Sequence, residues 1–186
     1  VRALTADTLG RQPVAFTADG RSLLVRRSTD RGAFGSESAR AFLMPLDGES
    51  PERMLVDFGV GEVALSFDGT SLLFGRGRAD ELRKGFVGAS ALQIWKADLS
   101  SNPPSLVRHS ADREGFQNVS ERDPMWSPDG KGYWFVSDPE GTWEVFWRDL
   151  ASLAVKQVSR VGADGSDDGV LAPSVSADGK RILFQR

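Results

Sequence analysis

Four near-copies of one short pattern dominate this 186-residue sequence: TADGR at 17–21, SFDGT at 66–70, SPDGK at 127–131 and SADGK at 176–180. Aligned on their Asp-Gly pairs, the segments VAFTADGRSLLV, VALSFDGTSLLF, PMWSPDGKGYWF and PSVSADGKRILF match over a dozen positions without a gap. Ser or Thr stands two residues before each Asp (Thr17, Ser66, Ser127, Ser176), preceded by an apolar residue (Phe16, Leu65, Trp126, Val175). An Asp acceptor and a Gly that tolerates positive φ, helped by Pro128 in the third copy, make each segment a β-hairpin. The apolar residues after each turn, such as Leu72-Leu73-Phe74 and Tyr133-Trp134-Phe135, are consecutive. A strand of that kind must be covered on both faces of its sheet.

A second repeat follows within each unit. FLMPLD (42–47), QIWKAD (93–98) and EVFWRD (144–149) end on Asp47, Asp98 and Asp149, 51 residues apart, and each leads through a turn into a short strand, ERMLV, SLVRH or VKQVS. The unit is a four-stranded antiparallel meander, and an all-strand repeat of this period predicts propeller blades. The expected fold is all-β, a partial β-propeller with blades at 13–61, 62–122 and 123–172. Residues 1–12 supply the last strand of a preceding blade and a linker, and 173–186 the first hairpin of a following one. Propellers close with roughly 4–8 blades. The chain is therefore expected to be a fragment or half of an assembly, with an apolar blade face open at each end and a tendency to self-associate. One helical turn is expected around Ala79–Lys84.

These units resemble the Asp-Gly-centred repeats of the TolB and tricorn type of β-propeller. The stretch DPMWSPDGKGYWFVSDPEGTWEVFWRDL (123–150), continuing to LAPSVSADGKRILFQR (171–186), is most similar to the N-terminal propeller of tricorn-like serine peptidases. The resemblance implies that catalysis belongs to a separate C-terminal domain, that the propeller filters or channels peptides, and that the protein is cytoplasmic. It also implies partners: the remaining blades and a peptidase domain of the same polypeptide, together with peptides or proteins. Related repeats occur in TolB-like proteins and prolyl-oligopeptidase-type enzymes. A TolB-like binding propeller with no protease attached, or one that gates another hydrolase, stays open as an alternative, as does a periplasmic or secreted location.

Several chemistries lack their residues. Lys and Arg are interspersed with Asp and Glu at a net charge of -3, which speaks against a nucleic-acid partner. No apolar run is long enough to span a membrane, so no membrane partner is expected. With no cysteine there is neither a disulfide framework nor a thiolate nucleophile. The single histidine, His109, falls at the end of an outer strand and is expected to be solvated, and no nucleophile elbow or P-loop is present. This chain is expected to carry no catalytic site and no cofactor. DGSDDG (164–169) offers Asp164, Ser166 and Asp168 at calcium-loop spacing, but Val175 occupies the position of the closing Glu, so a polar inter-blade loop is the expectation. Trp126, Trp134, Trp143 and Trp147 crowd the third blade, where alternation along the strand assigns them to inter-blade core. Asn118-Val119-Ser120 is a formal glycosylation sequon, meaningful only in a eukaryotic secreted protein.

Turns in a meander alternate between the two ends of its strands. The Asp-Gly turns therefore share one face, and the longer segments 27–39, 76–90, 108–122 and 160–171 share the other. Long loops on a rigid scaffold are where binding concentrates. Arg76, Arg78, Arg83, Lys84, Phe86, Arg113, Phe116 and Arg122 on that face are the candidate binding residues.

Overall fold

The computed structural model describes residues 10–31, 37–77, 85–86, 88–110, 119–164 and 169–186, with side chains given outside 29–38 and 163–164. The described residues form three four-stranded antiparallel sheets and one two-stranded sheet, each in sequential order. Blade 1 comprises β1 (Arg11–Phe16), β2 (Ser22–Arg31), β3 (Glu37–Pro45) and β4 (Arg53–Met54). Blade 2 comprises β5 (Val63–Leu65), β6 (Ser71–Arg76), β7 (Gln93–Asp98) and β8 (Ser105–Arg108). Blade 3 comprises β9 (Glu121–Trp126), β10 (Gly132–Ser137), β11 (Glu144–Asp149) and β12 (Val155–Gln157). The hairpin of β13 (Leu171–Val175) and β14 (Ile182–Gln185) follows. The fold is the all-β, partial β-propeller expected from the repeat.

The hydroxyl before each Asp-Gly pair explains why Ser or Thr recurs there. The Ser127 hydroxyl donates to Asp129 Oδ1 at 2.7 Å and accepts from the Gly132 amide at 3.1 Å, across the mouth of the hairpin. Thr17, Ser66 and Ser176 make the same pair of bonds in the other copies. The four glycines stand at φ of 67°, 72°, 69° and 69°. At the hairpins between the third and fourth strands, Asp47, Asp98 and Asp149 accept from the amides and hydroxyls of Ser50, Ser100 and Ser152.

Consecutive apolar residues on the second strand of a blade serve two interfaces. Leu72 and Phe74 pack toward blade 1 with Leu24, Ala41 and Ala97. Leu73 packs toward blade 3 with Ile94, Trp126, Tyr133, Phe135 and Phe146. Val136, Trp143, Val145 and Val170 pack with Ile182 and Phe184 of the last hairpin. Trp134 packs on this third cluster and lies 4.8 Å from Trp147, so the tryptophans of blade 3 belong to its interfaces.

Three details differ from the sequence expectation. Segment 27–39 is largely strand, because β2 and β3 stay paired out to Arg31↔Glu37. β1, β9 and β13 begin at Arg11, Glu121 and Leu171, each two residues ahead of the limits expected at 13, 123 and 173. The outer face of blade 1 is covered, since Val25, Phe42 and Met44 are buried. There the Arg27 guanidinium lies 4.1 Å from the Phe42 ring centre, and Glu52 pairs with both Arg27 and Arg11. At the other end Leu183 is 77% exposed. A 3-10 turn spans Val161–Asp164, whereas Ala79–Lys84 and residues 1–9 of the segment expected to hold a preceding blade's last strand lie outside the described residues.

Candidate functional site

The first strands of the blades converge. β1, β5, β9 and β13 line a groove of about 520 Å³ whose walls include Val14, Ala15, Phe16, Ala64, Phe67, Met125, Pro173 and Val175. Each of these strands is an edge of its own sheet. An edge strand has one side of its backbone unpaired by a neighbouring strand. The wall therefore combines apolar side chains with backbone groups that no neighbouring strand pairs, of which the Ala64 carbonyl accepts from Trp126 Nε1 at 2.9 Å.

Local backbone geometry shapes this wall. Asp123 and Ala172 adopt φ of 50° and 44°, each directly before a proline, and the strand pairing slips at both places. Ala172 has no functional side chain, so the kink belongs to the blade scaffold. It is a β-bulge that redirects the inner strand. At the equivalent place Asp123 presents a carboxylate to the groove, 3.7 Å from Arg122 Nε.

Two further charged residues reach the groove. Arg26 donates to Gln12 Oε1 at 3.1 Å and to the Val60 carbonyl at 3.5 Å. Glu62 lies against Gly75, where a Cβ would stand 2.6 Å from Glu62 Oε2, so the glycine makes room for the carboxylate. Its Oε2 is buried with no hydrogen-bond partner. Phe16 and Phe67, 69% and 52% exposed, stand at the Asp-Gly-turn end of the groove.

The sequence-predicted residues are distributed differently. Arg76 is exposed at the end of β6, and Phe86 is half-buried. Arg122 is only 3% exposed. It lies inside β9 with its guanidinium 4.4 Å from the Trp143 ring centre and a bond to the Val170 carbonyl, which corrects its placement on an exposed loop. The interior position follows from strand alternation, which turns Arg122 toward the last hairpin. Arg78, Arg83, Lys84, Arg113, Phe116, Ser166 and Asp168 lie outside the described residues, and only the backbone of Asp164 is described. No group of three or more acidic or histidine residues positioned to hold a metal occurs among the described residues.

His109 is buried, not solvated as its outer-strand position suggested. Its ring stacks on Tyr133 at 5.8 Å, inside the interface of blades 2 and 3. Burial first, then the charges of Arg148 and Lys96, push its pKa down to about 4. Beside it Arg148, 1% exposed, donates to Glu121 Oε1 at 2.6 Å, to Glu121 Oε2 at 2.9 Å and to the Tyr133 hydroxyl at 2.7 Å. The Ser110 hydroxyl also donates to Glu121 and accepts from the Ile94 amide. His109 Nδ1 has no partner, and Ser110 points to Glu121, so this serine and histidine are not arranged as a nucleophile and its base.

The groove residues Arg26, Glu62 and Asp123 are ones that sequence reasoning passed over. A signal existed for Asp123, because Asp-Pro and Ala-Pro stand at the same offset before the third and fourth Asp-Gly turns. None existed for Glu62, whose position depends on the missing side chain of Gly75 across the ladder.

No family model matches the chain, and no curated protein matches it. Solved structures do. TolB from Acinetobacter baumannii is 22% identical, with a TM-score of 0.66, over 97% of this chain and 39% of that one. A puromycin-hydrolyzing peptidase of Mycobacterium tuberculosis is 16% identical, with a TM-score of 0.60, over 95% of this chain and 28% of that one. The tricorn protease is 16% identical, with a TM-score of 0.51, over 97% of this chain and 21% of that one. The likeness is one of β-propeller fold, and the chain spans about two fifths of the Acinetobacter protein or less of the other two. Among the described residues no helix is long and apolar enough to cross a membrane.

Proposed function

We propose that this propeller segment binds polypeptide without cleaving it, selecting or channelling peptides for a tricorn-like serine peptidase domain of the same protein. The observation that carries the reading is the groove of β1, β5, β9 and β13, whose edge-strand backbones and apolar walls suit an extended chain. Phe16 and Phe67 at its mouth offer exposed aromatic surface of the kind that anchors binding. The fold likeness to peptidase propellers supports the link to proteolysis. A second reading, a TolB-like binding propeller with no peptidase, is favoured by the better superposition on TolB, 0.66 against 0.51 for tricorn.

Replacing Phe16 and Phe67 together by Ala leaves the core intact, since both are exposed. The full-length double variant is expected to melt like the parent yet bind a neutral extended peptide about tenfold more weakly, the scale of one lost aromatic anchor. Fluorescence anisotropy with a labelled peptide measures this. Equal affinities would reject the groove as the binding site. The sequence of the complete protein separates the two readings, because the first requires a serine peptidase domain.

A further inference from the structure

We propose that Arg76 forms a preformed carboxylate-binding site at the long-loop end of blade 2, a role that rests on the polypeptide-binding reading and adds a preference for acidic peptides. Arg76 closes β6 directly after Gly75, whose amide donates to the carbonyl of the groove residue Glu62. Its guanidinium carbon is 5.6 Å from the Phe58 ring centre and 5.5 Å from that of Trp95. A ring on β7 and a ring on the connection between β4 and β5 therefore flank one cation.

Other arginines in the molecule stack on aromatic rings in the same way and already donate to a protein acceptor. Arg27, over Phe42, bonds Glu52; Arg122, over Trp143, bonds the Val170 carbonyl; Arg148, over Phe135, bonds Glu121 through both oxygens. Arg76 is exposed, and among the described residues no acceptor or carboxylate pairs with it. The nearest acid in sequence to its aromatic cradle, Asp57, pairs with Arg40 Nε at 3.1 Å.

A guanidinium held by ring faces keeps its planar fork of N–H donors free and has already lost rotamer freedom. That is the preorganisation a bidentate carboxylate partner needs. A single guanidinium fork suits a planar monoanion, which an acidic side chain or a peptide C-terminus supplies.

The alternative is that Arg76 merely shields Phe58 and Trp95 from water, as long side chains do. Arg76→Met separates the two, because it keeps the apolar stem over the rings and removes the fork. Full-length parent, Arg76→Met and Arg76→Lys proteins are titrated with equal-length extended peptides at low salt: neutral with an amidated C-terminus, neutral with a free C-terminus, and Glu-containing with an amidated C-terminus. The parent is expected to favour a carboxylate-bearing peptide about tenfold over the neutral amide, the scale of one charge-assisted contact. Arg76→Met is expected to lose that preference while melting like the parent and binding the neutral amide equally, and Arg76→Lys to restore it in part. Which carboxylate peptide shows the preference identifies the source of the anion. If no peptide binds the parent, the polypeptide reading fails and this site with it. If the neutral amide binds and carboxylates bring no advantage, or the advantage survives in Arg76→Met, the Arg76 site alone is overturned.

Discussion

A single hydroxyl in each copy, at Thr17, Ser66, Ser127 and Ser176, ties its hairpin shut by bonding the turn Asp and an amide five residues on. The same bonds favour the ionised Asp. Asp68 is pushed down to about 2, first by the Ser66 hydroxyl and then by the Thr70 amide, and Asp19, Asp129 and Asp178 are lowered for the same reason. His109 is the residue with the larger consequence for pH. Its pKa of about 4 in the fold lies below the ordinary 6.5, so the unfolded chain binds the proton more readily between those values. Stability is then full above pH 6.5 and falls as the pH drops toward 4, by about 1.4 kcal/mol per unit and roughly 3 kcal/mol in all. Urea midpoints measured at pH 7 and pH 4.5 should show this decline in the parent and a smaller one in His109→Phe. An equal decline in both proteins would mean that His109 is not the group responsible.

Within an element, the tightest requirement sits where β10 meets β11. A Cβ on Gly132 would stand 2.3 Å from the Arg148 carbonyl oxygen and 2.4 Å from the Trp147 ring. The ring can turn, but the carbonyl is fixed in the ladder that pairs Gly132 with Asp149. Gly132→Ala should therefore destabilise by about 2–4 kcal/mol through strand displacement, read as a lowered thermal midpoint with a far-UV spectrum still dominated by strand. A melt identical to the parent's would show that the blade can open at no cost. The strands were legible in the sequence because apolar runs and Asp-Gly turns act within a dozen residues. Arg122 and His109 were misplaced because a charged or polar letter in a loop segment or at a strand end reads as exposed. Their burial is set by partners far along the chain: the Val170 carbonyl for Arg122, and Tyr133 for His109.

At the scale of the molecule the two ends are unlike. On the outer face of blade 1 the Arg11–Glu52–Arg27 network, its side chains only 12–21% exposed, lies over buried Val25 and Phe42. The last hairpin presents Leu183 and Leu171 to solvent. An exposed apolar sheet face with a strand edge beside it favours association, whereas a face whose apolar residues are already buried does not. The 186-residue chain should therefore show concentration-dependent light scattering that Leu183→Glu reduces while leaving the melting temperature unchanged. Scattering insensitive to that substitution would place any self-association elsewhere.

The sequence by itself determined the four hairpins, the four-stranded unit and the propeller class, because turn chemistry and two-faced apolar strands are local and repeat in register. Only the tertiary structure decided which charged residues are available. Glu62 is tucked against Gly75 at the groove, Arg122 and Arg148 are enclosed between blades, and Arg76 is held open between Phe58 and Trp95. The reason is geometric: each of these environments is made by groups on strands or connections well separated along the chain, and no spacing in the sequence encodes which rings or carbonyls meet there.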